Sequence, residues 1–530
     1  MWRFNPVYFL VVLMVLLLGC AAQATPQVQY VTATPGATGA QPVPSLPPLA
    51  VSLEHPLPTE GEPALPEPVL PPKPCDRPAD TATRYTVDAV LDWTAYQVRA
   101  TQQIAYTNMT SAPQSELVFQ VEPNRQGELL RVERVSFGDG RSQEQAPQSQ
   151  SNRLTVGLPG GVGANCTIEL TLEFTLNIPP ILNGYAEGRI GYFGFVNNRQ
   201  INLGHWLPVV ALYQQGWYTP RNTFVGEQTM TDAAHFLVTL KLENAPPTAI
   251  VAGPGVMKLV GSQQWSFELE DARDLTLSIG NGFQRRSLLA ENGTVIDLFY
   301  FPEHEPVGYA AADQALQAAA ESLLLYNDLF RVPYPHPRLV VVQGEFPDGM
   351  EFSGIVFVSK DWFTSWRGQI NSWLTIITVH EVAHQWWYML VGNDPTAYPY
   401  LDEAFATYSE YLYFEALHDE HADWWWDFRI RAYNPQGLVD SDVYRYNEGR
   451  PYINAVYLRG AEMLHTVRAT LGDEGFFDWL FTYAETNQGR VASPAELWGA
   501  LPPEGYATLE GVRQQFLSGP ASSPPQSPRP

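Results

Sequence analysis

The sequence predicts an α+β multidomain fold, in which a β-sandwich-like N-terminal domain is followed by a second, α+β domain. Three observations carry this. From Arg84 onward, short runs alternate apolar and polar residues with period two, as in Tyr85, Val87, Ala89, Leu91 and Trp93, the signature of half-buried strands. After Gly280-Asn281-Gly282 the texture changes to long Ala- and Leu-rich stretches with few strands between them. The chain has 530 residues, 45% of them hydrophobic, enough for more than one buried core.

Taken in order, residues 1–20 place Arg3 before an apolar run, Val7 to Leu18, that ends in Gly19-Cys20. A positive start, an apolar centre and a small residue before a cleavage point read as an export signal. Leu17-Leu18-Gly19-Cys20 resembles a bacterial lipobox, in which the cysteine is lipidated and becomes the mature N-terminus; an uncleaved signal anchor is the alternative. Either places the remainder outside the cytoplasm and tethered to a membrane. Residues 21–79 form a linker: Pro26 to Pro78 holds 15 of the chain's 45 prolines and lacks apolar periodicity, as expected of an extended spacer.

Residues 80–284 read as the β-rich domain, its strands punctuated by turns such as Gly138-Asp139-Gly140 and Pro159-Gly160-Gly161. No catalytic constellation is visible in it, and His205-Trp206-Leu207 reads as core packing. Residues 285–517 read as the α+β domain, with a helix over 310–330, strands at 338–343 and 355–359, and helices around His380 and over about 402–417, 456–471 and 474–486. The tail, 518–530, has five prolines and is expected to be disordered. Cys75 and Cys166 are a candidate disulfide, two free thiols being the alternative. The formal charge of −25 argues against nucleic acid as a partner, since nothing would neutralise phosphates. No obligate protein partner is implied.

The chemistry concentrates at His380-Glu381-Val382-Ala383-His384, followed after eighteen residues by Glu403. No Gly or Pro interrupts Asn371 to Val391, so a helix is expected to run through both histidines. Four residues apart, the two imidazoles project from one face, as two nitrogen ligands of a single Zn²⁺ require. Glu381 lies beside them, within reach of a metal-bound water. With Glu403 in the first turn of the next helix, His380, His384 and Glu403 make a three-ligand zinc site whose fourth position is open, the catalytic pattern rather than the structural one. The bland reading is a buried helix that carries two histidines, one of them paired with Glu381.

Several motifs together resemble the aminopeptidase N-like gluzincins, the family that includes leukotriene hydrolase. The zinc signature matches in residues and gap. Asp348-Gly349-Met350-Glu351-Phe352 looks like that family's Gly-x-Met-Glu-Asn segment, and Tyr457-Leu458-Arg459-Gly460 looks like its Tyr-x-Lys-Gly motif. His384–Tyr388 and Val391–Asp394 look like a bacterial branch. Phe352, Arg459 and Asp402-Glu403-Ala404 depart from the pattern, and the stretch after Tyr457 leaves no room for the family's usual large C-terminal helical domain.

The resemblance implies a thermolysin-like α+β metallopeptidase domain, with one zinc per chain and peptides as substrates. It assigns Glu381 as general base and Tyr457 as oxyanion donor. Glu351, with Gly349 and Met350, would bind the substrate's free α-ammonium. Asp402 and Glu410 are candidates to orient the ligating histidines, and Trp424-Trp425-Trp426 reads as packing. The activity implied is that of a tethered aminopeptidase; an endopeptidase with an open cleft, or a non-enzymatic surface protein on a hydrolase fold, are the rivals.

Overall fold

The computed structural model describes residues 72–143, 148–181 and 191–519. The export-signal stretch, almost all of the linker and the tail from 520 lie outside the described residues. Within the described residues no helix is long and apolar enough to cross a membrane.

The alternating runs of the N-terminal part form an eight-stranded sheet ordered Val256–Gly261, Gln264–Ala272, Ala234–Glu243, Thr83–Asp92, Gln97–Thr107, Thr167–Asn177, Leu130–Phe137 and Ser142–Gln143. Its pairs are antiparallel except Thr83–Asp92 with Ala234–Glu243, which run parallel. Along Thr83–Asp92, Tyr85, Val87, Ala89 and Leu91 point inward while their neighbours meet solvent. That period sets one wet face and one dry face. Two four-stranded sheets, one built on Gln114–Gln120 and Arg153–Val162 and one on Gln200–Leu203 and Leu277–Asn281, share the same apolar core. Trp206 and Leu207 belong to that core. Cys75 and Cys166 are joined in a disulfide, so the end of the Pro-rich segment is fastened to this domain.

The second domain begins with a five-stranded mixed sheet ordered Gln284–Leu289, Val295–Tyr300, Arg338–Gly344, Ile355–Ser359 and Gly349–Phe352. The three central strands are parallel and buried on both faces, which explains the continuous apolar runs Leu339–Val342 and Ile355–Val358. The edge strand Gly349–Phe352 is antiparallel to its neighbour. Helices follow: α1 (Ala311–Phe330), α2 (Trp373–Ala383), α3 (Glu403–Leu417) and α4 (Arg459–Thr486). The alanines of α1 at 311, 312, 315, 318 and 319 are fully buried, and small side chains there let α2 pack closely against it. Helix α4 breaks at Gly472, whose φ of 76° suits glycine alone, where the sequence suggested two helices.

Candidate active site at the end of a buried helix

Helix α2 is apolar on all sides because α1, α3 and the strands around Gly349 and Ile355 enclose it; Leu374 through Ala383 are all buried. His380 lies in its last turn. The helix expected to run through both histidines ends just short of the second: α2 stops at Ala383, although His384 keeps helical angles (φ −65°, ψ −9°) and so stays on the face of His380. Beyond it the chain makes wider turns, with Met389 N–H bonding the His384 carbonyl and Val391 N–H the Trp386 carbonyl. In a continued helix Val391 would take the Trp387 carbonyl. Here that oxygen is free to accept from His384 Nδ1 at 2.9 Å. The early stop has a function, since it fixes a ligand.

Helix α3 starts at Glu403, with Asp402 as its N-cap accepting from the Glu403 N–H. The helix packs on α2 and delivers the Glu403 carboxylate to the two imidazoles. His384 Nε2 lies 3.2 Å from His380 Nε2, and Glu403 Oε2 lies 3.3 Å and 3.5 Å from the two nitrogens. A tetrahedral ion about 2.0–2.1 Å from each ligand separates them by about 3.3–3.4 Å. The donor set therefore fits one zinc, and these three residues form a metal-competent cluster.

Each ring's second nitrogen is spoken for, which fixes Nε2 as the metal-facing atom. His384 uses the Trp387 carbonyl; His380 Nδ1 lies 2.8 Å from Glu410 Oε1. Glu410 is itself gripped by the Arg429 guanidinium through two bonds of 3.0 Å and by Trp425 Nε1 at 3.0 Å. Burial pushes the Glu410 carboxyl up, but Arg429 and His380 outweigh it and hold it below the usual range. Of the two residues put forward to orient histidines, Glu410 does so. Asp402 does not: its oxygens take the Glu403 N–H and the Asn393 amide.

The edge strand explains the substrate side. Alternation sends Met350 and Phe352 to one face and Gly349 and Glu351 to the other. Met350, grouped with the substrate-binding residues from the sequence, packs instead among Phe301, Phe346 and Phe357 in an apolar cluster, so its side chain supports the strand. Phe352, standing where the family has Asn, belongs to the same cluster. Gly349 is where Glu381 approaches: a Cβ there would lie 2.2 Å from Glu381 Oε1. Glu351 is buried, with Oε1 3.8 Å from His384 Nδ1. Among the described residues neither Glu351 Oε1 nor Glu381 Oε2 has a hydrogen-bond partner. Burial raises the Glu351 carboxyl to about 6 and the Glu381 carboxyl to about 8, against the pull of the histidines.

Tyr457 sits in a single π-helical turn, Asn454–Leu458, its ring parallel to that of His380 and 6.1 Å away. Its hydroxyl donates a short bond to Glu403 Oε1, the oxygen that does not face the histidines. Arg429 comes from a second π-turn, Trp426–Arg431.

No catalytic constellation is expected in the β-rich domain, and one of its carboxylates, Glu227, is electrostatically coupled to the site. Val225 is buried in the core of the second domain, and Gly226 (φ 70°) fits against the Tyr452 hydroxyl and Val443. Glu227 is thereby presented to the site. Burial first, then the charges of Glu351 and Glu403, push its carboxyl well above the usual range. Nothing in the sequence around it, an irregular stretch between strands, marks this residue.

Comparison with known proteins agrees with this geometry. Residues 314–516 match the model of the peptidase family M1 domain. Over 207 residues the chain is 30% identical to aminopeptidase M1 of Arabidopsis thaliana (36% of this chain, 24% of that protein). Over 265 residues it is 26% identical to aminopeptidase N of Lactococcus lactis subsp. lactis (45% of this chain, 30% of that protein). The chain thus spans less than a third of the length of these relatives. The fold is similar to the crystal structure of an M1 zinc metallopeptidase from Deinococcus radiodurans bound to a Tyr-Ser-Ala substrate, with a TM-score of 0.60 and 20% identity, covering 84% of this chain and 96% of that one. Residues 314–516 thus form a peptidase family M1 domain, and the His380, His384 and Glu403 donor set within it fits one zinc.

Proposed function

We propose that this chain is an aminopeptidase that releases N-terminal residues from peptides outside the cytoplasm. The observation that carries the reading is Glu351. It is a buried carboxylate beside the metal ligands, one oxygen of which has no hydrogen-bond partner among the described residues. Such a group is costly to maintain unless a cation arrives to meet it, and the α-ammonium of a peptide is a cation of the right size.

Zinc, held by His380, His384 and Glu403, would supply a Lewis acid that polarises the scissile carbonyl and acidifies water. The chain's own residues do the rest. Glu381 takes the proton from the attacking water and returns it to the departing amine, and Gly349 gives its carboxylate room beside the strand. The Tyr457 hydroxyl is the donor for the oxyanion, changing partner from Glu403 Oε1 as charge develops. Glu351 sets which peptide bond is presented, because it fixes the amine one residue away.

The test is a mixture of peptides offered in free and N-acetylated versions, with products read by mass spectrometry and Glu381→Gln as control. Ladders of single-residue losses from free peptides alone, absent in the control, are expected. Internal cuts in both versions would overturn the exopeptidase reading.

Tethering outside the cytoplasm is part of the proposal. The pattern of residues 1–20 supports it, as does the Cys75–Cys166 disulfide, which suits an oxidising compartment. Cys20→Ala should move the protein from the membrane to the soluble fraction; unchanged membrane association would favour the uncleaved anchor.

A further inference from the structure

The β-rich domain reaches the site a second time, through Arg273 and Asp274 in the turn after the strand Gln264–Ala272. Both are buried. The Arg273 guanidinium donates to backbone carbonyls only: Tyr388 at 2.5 Å, Leu390 at 3.4 Å, Thr231 at 2.9 Å and Arg490 at 2.7 Å. Two of these lie on the segment that leaves the helix just after His384. Gly392 makes room for the guanidinium, since a Cβ there would stand 2.4 Å from Arg273 Cζ.

Asp274 grips the other half. Its Oδ2 accepts from the Ser353 N–H and hydroxyl, each at 3.1 Å, and from the Tyr388 hydroxyl at 2.8 Å. Ser353 lies two residues beyond Glu351, and its hydroxyl also accepts from the Arg273 N–H at 3.0 Å. Gln385, next to His384, ties the same two segments directly, bonding the Phe352 carbonyl at 3.1 Å and the Gly354 N–H at 2.9 Å.

We infer that Arg273 and Asp274 are positioning residues for amine recognition: they lock the Glu351 strand to the segment after His384, so that the β-rich domain sets the distance between amine anchor and metal. This rests on the amine-binding reading of Glu351. Arginine suits the task because its planar fork can serve several carbonyls at once, which a lysine ammonium at the end of a flexible stem cannot. A carboxylate suits the other position because three donors converge on one oxygen.

The experiment uses the zinc-loaded full chain, with the free peptide that it cleaves fastest and the N-acetyl form of that peptide as a competing ligand. Asp274→Ala, Glu351→Gln and the double variant are compared for KM, kcat, zinc per chain and the inhibition constant of the acetylated peptide. Asp274→Ala is expected to raise KM for the free peptide about tenfold, with kcat changed less than about threefold. Zinc content and the acetylated peptide's inhibition constant should stay as in the parent. In the Glu351→Gln background the same substitution should add nothing to KM, because the two act through one contact.

Additive effects on KM, loss of zinc, or equal weakening of the acetylated ligand would overturn the inference and leave a merely structural role. Glu351→Gln alone indistinguishable from the parent would overturn the amine-binding reading itself, and the inference with it. Should Asp274→Ala not fold, Tyr388→Phe removes one donor from the same oxygen and is expected to show the same pattern at about threefold.

Discussion

Glu410 and Glu351 are both buried carboxylates within reach of a zinc-ligand histidine, one behind the metal site and one in front of it, and the fold treats them in opposite ways. Glu410 is fully enclosed and completely paired, taking Arg429 through two bonds, Trp425 through one, and His380. Glu351 is enclosed too, yet one oxygen lacks a hydrogen-bond partner among the described residues, and His384 Nδ1 stands 3.8 Å from that oxygen. Burying a carboxylate is expensive, and the expense is offset where partners are supplied. Behind the metal the protein supplies every partner. In front of it, one oxygen is left without a partner among the described residues, the place that the proposed amine-binding role gives to the substrate. The difference separates structure from recognition using only hydrogen bonds.

The largest effect should come from breaking the paired side. Glu410→Ala strands the buried Arg429 guanidinium and frees the His380 ring, and is expected to cost about 3–5 kcal/mol of stability. Zinc affinity should fall about 10–100-fold with it. Denaturant unfolding and metal titration measure the two losses; a stable variant that keeps its zinc would erase the distinction. Next comes Gly349→Ala, which drives a methyl group into Glu381 and Ile377. Displacing the base by about 1 Å should lower kcat on the order of 100-fold while zinc stays bound, as steady-state kinetics and metal analysis would show. The open side should respond with the opposite sign. Glu351→Gln removes a poorly paired buried charge, so stability should hold or rise by about 1 kcal/mol while KM for free peptides climbs about 10–100-fold. Destabilisation by Glu351→Gln as large as that from Glu410→Ala would show that Glu351 is a structural carboxylate after all.

The zinc ligands were legible in the sequence because local geometry determines them: a four-residue separation on a helix aligns His380 with His384, and Glu403 opens the next helix. Glu351 was legible through the resemblance only, and the pleat of its strand turns the Met350 side chain to the opposite, apolar face. The supporting residues were not legible. Arg429 and Asp274 find their partners through tertiary packing, and Asp274 meets Ser353 across 79 residues of chain. The Trp387 carbonyl became available through a helix end that neither Gly nor Pro announces, and two π-turns that deliver Arg429 and Tyr457 carry no sequence signal. Glu227 stands in an irregular stretch whose position depends on Val225 entering the other domain's core.

The smallest effect sharpens the comparison by repeating its chemistry at the surface. Arg134 and Glu173 also form an arginine–carboxylate pair, at 2.6 Å, on the outer face of the eight-stranded sheet, with side chains 61% and 35% exposed. Water already solvates both partners there, and ordering two long side chains consumes much of what their attraction provides. Arg134→Ala should therefore shift stability far less than Glu410→Ala does, and leave zinc content and KM unchanged. Salt separates the two pairs further. At 1 M ionic strength charges are screened within about 3 Å in solvent, so the small effect at Arg134 should vanish. The loss caused by Glu410→Ala should persist, because no salt reaches the enclosed carboxylate. A surface pair as costly to break as the buried one would mean that pairing itself, rather than burial, sets the scale, and the contrast between the two sides of the metal site would lose its basis.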